Sequence, residues 1–181
     1  MHDIRDLEKE LKRRYGADGI QSNRDDLAFT AVKPHAVGDA LAYLRDHWRY
    51  VHLDFITCVD LIEEGRLELV YMLRNHDAKH DLGVKTRIDR NRPVMESLHG
   101  HWAAVATYQR ELREMFGIDF PGCPRVDEDF ALEGWDEMPP MRRDFDTRAY
   151  SERTYFPRPG RTTSDPAEHM RTKQYPGRAD L

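Results

Sequence analysis

The stretch YQRELREMFGIDFPGCP, at positions 108–124, concentrates the side chains best suited to chemistry. Arg110, Glu111, Arg113 and Glu114 fall in a helical pattern, in which residues three or four apart share a face. Such a face could orient a substrate carboxylate, relay a proton or simply meet solvent. The helix runs directly into a loop stiffened by two prolines. A charged face leading into such a loop also has the character of a surface that another chain covers.

The other reactive side chains do not make a complete site. His76 and His80 fall in a polar loop, and His99 and His101 have no cysteine or third histidine beside them in the sequence, so neither pair predicts a metal site. Cys123 lacks a neighbouring base, and we expect a packed thiol rather than a nucleophile. The sequence contains no glycine-rich phosphate loop, GxSxG elbow or Walker motif. It therefore predicts no catalytic, cofactor or metal site held by this chain alone.

A second charged cluster, RRDFD, occupies positions 142–146. The guanidinium groups of Arg142 and Arg143 can each make two parallel hydrogen bonds to a carboxylate, and Asp144 could hold one of them in place. The alternative is a run of charge that faces only solvent.

Composition excludes several classes of protein. The 181 residues are 39% hydrophobic and 34% charged, with a net charge of -5, which argues against a nucleic-acid or anionic-membrane partner. Two distant cysteines fit a reducing compartment without disulfides. The sequence has no apolar run long enough to span a membrane and no secretion signal at its charged start, so we expect a cytosolic chain.

Hydrophobic periodicity predicts alternating helices and strands. The order αβαβββα, with mostly antiparallel pairing, predicts a two-layer α+β domain with its helices on one face of the sheet. The predicted helices are 4–15, a second with Pro34 in its first turn and an apolar face from Val37 to Trp48, and 94–116 with a break near Gly100. The predicted strands are 27–32, 52–62, 66–75 and 82–90.

Beyond Gly117 the chain changes character, because prolines become frequent and aliphatic residues nearly disappear. We therefore divide it into a core domain, 1–120, and a turn region with an extended arm that contains proline and aromatic residues, 121–181. Such a composition cannot build its own core. The segment is either a disordered tail or an arm that packs on a partner subunit.

Three colinear segments resemble a subunit family of NADH-quinone oxidoreductase, the small peripheral-arm subunit of respiratory complex I that is designated C, and its relatives in energy-converting membrane-bound hydrogenases. The resemblance covers about residues 50–147. The segments are LDFITCVDLIEEGRLELVYMLRN, LGVKTRIDRNRPVMESLHGHWAAVATYQRELREMFGIDFPGCP and LEGWDEMPPMRRDF.

The residues that match the family motifs are the expected subunit interface: Arg110, Glu111, Phe116, Gly117, Ile118, Gly122, Pro124, Arg142, Arg143 and Asp144. The chain departs from the family pattern at Thr107, Gln109, Cys123 and Met141. Gln109 and Cys123 each replace a titratable family residue, which argues against a proton-handling role. These departures favour a hydrogenase-type branch or another ion-pumping relative.

The resemblance implies a subunit that is not itself catalytic, in a complex on the cytoplasmic face of the membrane. It implies no cofactor in this chain. Iron–sulfur clusters, and nickel–iron in hydrogenase relatives, would belong to the partners, which are a large hydrogenase-like subunit of the 49-kDa type and iron–sulfur subunits. Two alternatives stay open: a free-standing small-molecule enzyme that uses Glu111 or His101 as acid or base, and an adaptor without a redox role.

Overall fold

The computed structural model describes residues 4–155 and 167–168. Within them the chain forms four α-helices and five β-strands, joined in places by short 3₁₀ turns at Pro34–Ala36 and Ile62–Glu64. The helices are α1 (Ile4–Tyr15), α2 (Val37–Trp48), α3 (Val105–Phe116) and α4 (Thr147–Tyr155), and the strands are β1 (Gln21–Arg24), β2 (Leu27–Ala31), β3 (His52–Leu61), β4 (Arg66–Asn75) and β5 (His80–Asp89).

The five strands form one sheet in the order β1-β2-β5-β4-β3. Only the pairing of β2 with β5 is parallel, and the other three pairings are antiparallel. The prediction of an α+β fold with a mostly antiparallel sheet is therefore confirmed. Strand β1 was not predicted, because its four polar residues are all exposed and show no alternation of apolar and polar side chains.

One face of the sheet packs against α1, α2 and α3. In β4 the side chains of Leu67, Leu69, Tyr71 and Leu73 are buried, as the period-two pattern of the sequence predicts. They join the buried residues of α1, α2 and α3 in a single hydrophobic cluster. The opposite face carries the exposed side chains of β3, so the domain has two layers.

Strand β3 lies at an edge of the sheet, where unpaired backbone groups invite pairing with another chain. One backbone acceptor just before this strand and one within it are occupied by side chains that precede or belong to α3. The indole N–H of Trp102 donates to the carbonyl of Val51 at 2.8 Å, and the hydroxyl of Tyr108 donates to that of Asp54 at 2.6 Å. Asp54 sits where the register between β3 and β4 shifts.

The predicted helix from Val94 to Gly100 is wrong, because helix α3 begins only at Val105. Val94 instead forms an isolated parallel bridge with Asp119, and the N–H of Met95 donates to the carbonyl of Asp119. Leu98 is buried in this irregular segment. The spacing of its apolar residues therefore reflects burial against the core rather than a helix.

The described contacts divide the chain into one compact unit that ends at Arg143 and a second that begins at Asp144. The composition instead predicts a boundary at residue 120, before the loop that folds back over α3. In the second unit, helix α4 lies within the segment 121–181 that was predicted to be a turn region and an extended arm. Residues 156–166 and 169–181 of that arm lie outside the described residues, so the prediction stays untested there. In the described ranges no helix combines the length and apolar character needed to cross a bilayer.

Candidate functional site

Helix α3 carries the charged motif and is fixed on its inner side by burial. Val105, Leu112 and Phe116 point into the core. The helix ends at Gly117, whose φ of 73° is left-handed and whose N–H donates to the carbonyl of Arg113 at 2.8 Å. Glycine adopts this conformation without the steric cost that a side chain would add.

The outer face of α3 is covered by the chain itself. Residues 126–142, which we call the covering loop, fold back across the last two turns of the helix. The carboxylate of Glu114 accepts hydrogen bonds from the N–H groups of Phe130 at 2.8 Å and Ala131 at 2.9 Å. Burial acts to raise the pKa of Glu114, but these backbone donors outweigh it and the pKa lies below its usual value. The charge of Glu114 is thus used to order the loop.

Arg110 fastens the same loop. One guanidinium nitrogen donates to the carbonyl of Asp129 at 2.9 Å, and the guanidinium carbon lies 5.4 Å from the centre of the Phe130 ring. Its Nε is buried and has no partner among the described residues. Between helix and loop remains a groove of about 370 Å³, lined in part by Arg110, Leu132 and Trp135.

Glu111 behaves differently from its neighbours. Its side chain is exposed, and within residues 4–155 and 167–168 it makes no hydrogen bond or ion pair. No described contact joins it to His101, whose ring Nδ1 lies 3.2 Å from a guanidinium nitrogen of Arg45. The two residues considered for a free-standing enzyme are therefore not brought together as an acid–base pair.

Arg142 closes the C-terminal end of α3. Its Nε donates to the carbonyl of Phe116 at 2.8 Å, which places a cation at the negative end of the helix. The N–H of Met141 donates to the carbonyl of Met115 at 3.0 Å. A Cβ added to Gly117 would lie 3.0 Å from Cγ of Pro139, so the loop also approaches this glycine closely.

Arg143 is attached to the sheet through Asp60. The side chain of Asp60 is only 1% exposed and forms a double hydrogen bond with Arg90, at 2.7 and 2.9 Å, while the N–H of Arg143 donates to its second oxygen at 2.9 Å. The side chain of Arg143 itself is 54% exposed and pairs with Glu63. Sequence reasoning missed Asp60 and Arg90. A signal was present, because Asp60 follows Ile56 and Cys58 at the spacing of the buried face of β3.

The remaining residues of the expected interface divide into buried and exposed groups. Ile118 is completely buried and Phe116 is 8% exposed, so both support the surface from below. Gly122, with φ of 83°, and Pro124 are exposed in the turn. Asp144 is exposed and belongs to the second compact unit.

Cys123 and Gln109 are packed residues. Burial raises the pKa of the Cys123 thiol, as expected for a packed rather than a nucleophilic cysteine. Gln109 is completely buried and its carbonyl accepts the hydroxyl of Ser97 at 2.6 Å. Gln109 therefore ties the irregular segment before α3 to the helix, a role that its spacing in the sequence did not reveal.

The charged groups around α3 thus hold together one surface. The hydrogen bonds of Arg110, Glu114 and Arg142 all join the helix to the covering loop. Among the described residues, no three His, Cys, Asp or Glu side chains converge in an arrangement that could hold a metal ion. The arrangement presents a surface of helix and loop that is held together by hydrogen bonds.

Comparisons with known proteins agree with the motif pattern. A family model described as the 30 kDa subunit of respiratory-chain NADH dehydrogenase matches residues 30–151. The NADH-quinone oxidoreductase subunit designated C of Roseiflexus castenholzii is 33% identical over 129 residues, which cover 70% of this chain and 73% of that protein. The same subunit of Novosphingobium aromaticivorans is 30% identical over 158 residues, which cover 83% of this chain and 49% of that protein.

Two solved structures are similar in fold. A chain of the membrane-bound sulfane sulfur reductase, an archaeal respiratory membrane complex, has a TM-score of 0.73 and 26% identity, over 84% of this chain and 90% of that one. A trypsin-resistant fragment of Nqo5 has a TM-score of 0.58 over 67% of this chain and 97% of that one, and at 18% identity it supports the fold alone. The chain therefore belongs to the complex-I-like family of the 30 kDa subunit of respiratory-chain NADH dehydrogenase.

Proposed function

We propose that this chain is a cofactor-free structural subunit of a complex-I-like, ion-translocating oxidoreductase. It holds the large hydrogenase-like subunit beside the iron–sulfur chain, on the cytoplasmic face of the membrane, and is not itself catalytic. Electron transfer runs through cofactors of the partner subunits, namely iron–sulfur clusters and, in the hydrogenase branch, nickel–iron.

The observation that carries the proposal is that charged side chains around α3 form their hydrogen bonds within this chain. Arg110 and Glu114 direct their hydrogen bonds to the covering loop, and Arg142 directs one to the end of the helix. Such groups build a shaped surface and leave no nucleophile–base pair among the described residues of this region. Membership of the family supplies the kind of complex in which that surface works.

Charge reversal tests the proposal in the assembled complex. The complex is purified through a tag on its large subunit from cells that make Arg110→Glu or Arg143→Glu. Arg110→Glu removes a fastening of the loop, and Arg143→Glu places two carboxylates together at Glu63, on the surface next to it. We expect both variants, and above all the double variant, to be lost from the purified complex.

Lys79→Glu is the matched control, because Lys79 is exposed in the turn between β4 and β5 and has no partner among the described residues. It should be retained like the unmodified chain. Intact assembly with both arginines reversed contradicts the proposal.

Whether the complex is of the hydrogenase type or of the quinone-reducing type can be determined from the sequence of its large subunit. We propose the hydrogenase type, on the basis of Gln109 and Cys123. A set of nickel-binding cysteines in the large subunit purified with this chain would support this branch, and their absence would favour the quinone-reducing branch.

A further inference from the structure

We propose that the outer side of the covering loop is the docking surface for a basic segment of the large partner subunit, with Phe130 and Met138 as its apolar anchors. The inference rests on the proposed function and goes beyond it, since it assigns contact to the loop rather than to α3 and states the chemistry of the partner surface.

Three large apolar side chains of this surface are exposed. Phe130 is 39% exposed, Met138 44% and Met141 58%, all within 12 consecutive residues. Aromatic and Met side chains are enriched at the centres of protein interfaces, and Phe130 is already oriented by the guanidinium of Arg110. Exposed apolar side chains of this kind contribute to affinity when a partner removes them from water.

The charge of the loop selects the partner. Residues 126–142 contain one basic side chain, Arg142, and six acidic ones: Asp127, Glu128, Asp129, Glu133, Asp136 and Glu137. Several of these have partners within the chain, since Asp127 pairs with Arg113 and Glu128 with Arg125. Glu133 and Asp136 are exposed and make no bond among the described residues. Carboxylates beside apolar anchors fit a segment that carries Lys or Arg beside an apolar patch, and they repel anionic surfaces.

The loop is held in place before any partner binds. Glu114 fixes its beginning through two backbone N–H groups, and Trp135 donates to the carbonyl of Met138 at 3.2 Å. The backbone bonds of Met141 and Arg143 fix its end. A surface that is ordered in advance loses little conformational entropy on binding.

The test uses the full chain and the large subunit that is encoded with it. Each protein is purified, and the dissociation constant of the pair is measured by titrating one with the other. The titration is done at about 50 and at about 300 mM salt, a range over which exposed charges become screened. Phe130→Ala removes an anchor and is matched by Phe55→Ala, a phenylalanine of similar exposure, 41%, on the open face of the sheet. Asp136→Lys reverses a free loop charge and is matched by Asp25→Lys in the exposed turn between β1 and β2. A melting curve of each variant confirms that it is folded.

We expect Phe130→Ala and Asp136→Lys each to weaken binding by about tenfold, the effect of an interface anchor or charge, while the two controls stay within about twofold. Raising the salt should weaken the unmodified pair, and it should weaken the Asp136→Lys pair less, because that variant has lost one of the attractive charges that salt screens. Zero-length carbodiimide cross-linking should join Glu133 or Asp136 to a lysine of the large subunit.

Other outcomes overturn the inference in distinguishable ways. If the unmodified pair binds and the loop variants bind equally well, the loop is not the docking surface and the proposed function stands. If Phe55→Ala weakens binding and Phe130→Ala does not, the open sheet face is the docking surface. A cross-link to Lys173 of this chain identifies its own C-terminal segment or a second copy as the occupant. If the unmodified chain does not bind the large subunit, the proposed function fails, and the inference fails with it.

Discussion

Asp60 joins three parts of the chain at a single buried carboxylate. It lies in β3, pairs with Arg90 just beyond β5, and accepts the backbone N–H of Arg143 at the end of the covering loop. The bonds from Arg90 and then from the Arg143 backbone hold the pKa of Asp60 below its ordinary value near 3.8, although burial opposes them. The carboxylate is therefore ionised in the folded protein at neutral pH.

Asp60→Asn should destabilise the fold by about 3 to 5 kcal/mol at pH 7, because it removes the buried carboxylate charge that forms a double hydrogen bond with the Arg90 guanidinium. The exposed Asp25→Asn is the control and should change stability by less than about 0.5 kcal/mol. Urea unfolding at several pH values provides the measurement.

The pH dependence gives a second check on the same residue. Since the pKa of Asp60 is lower in the folded than in the unfolded chain, the unfolded chain takes up the proton first as the pH falls. The gap in unfolding free energy between the unmodified chain and Asp60→Asn should stay constant from pH 7 to about 4 and shrink below it. A gap that widens on acidification contradicts this role for Asp60.

Local spacing could identify the charged residues of the site but not their partners. The helical pattern placed Arg110 and Glu114 on α3, and nothing in it showed that their partners would be backbone groups of residues 128–131. Hydrogen bonds between residues 16 to 19 positions apart depend on the path of the loop. The same limit hid the pairing of Asp60 with Arg90, which are 30 positions apart.

At the scale of elements, the end of α3 sets the path of the covering loop. Gly117 combines a left-handed backbone with the close approach of Pro139, whereas Gly122 has a similar φ and no heavy atom within 4 Å of an added Cβ. Substituting each glycine by alanine therefore distinguishes the cost in stability of backbone strain, present at both positions, from the cost of a clash with the loop, present only at Gly117.

Gly122→Ala should cost about 1 kcal/mol of stability from strain alone, and Gly117→Ala about 1 to 3 kcal/mol more, because Pro139 must also move. Equilibrium unfolding in urea measures both. Equal losses would mean that the loop does not press on Gly117.

Helices and strands with a clear hydrophobic period could be predicted from the sequence. Segments whose conformation depends on pairing with another part of the chain could not. The strands β3, β4 and β5 and the helices α1 and α2 follow from alternation and helical spacing. Strand β1 has no apolar alternation and exists because it pairs with β2. The segment before α3 has helical spacing but forms an irregular path, which is tied at Val94 to Asp119 by an isolated bridge.

For the whole molecule, the covering loop belongs to the folded domain. A chain that ends after Asp146 retains the bonds of Arg142 and Arg143 and should melt within a few degrees of the full chain. A chain that ends after Phe120 loses those bonds and those of Glu114, each worth about 1 kcal/mol, and should melt lower by about 10 °C or more.

Differential scanning calorimetry of the two shortened chains measures this difference. Equal melting temperatures would support the boundary at residue 120 that the composition suggests, with an autonomous core domain and a separate turn region and arm.

The partly capped edge of β3 affects how copies of this chain can meet one another. Trp102 and Tyr108 occupy backbone acceptors that another newly made copy could otherwise use to extend the sheet. Copies of this chain are therefore less able to add to one another at the start of β3, the step by which open sheet edges grow into fibrils.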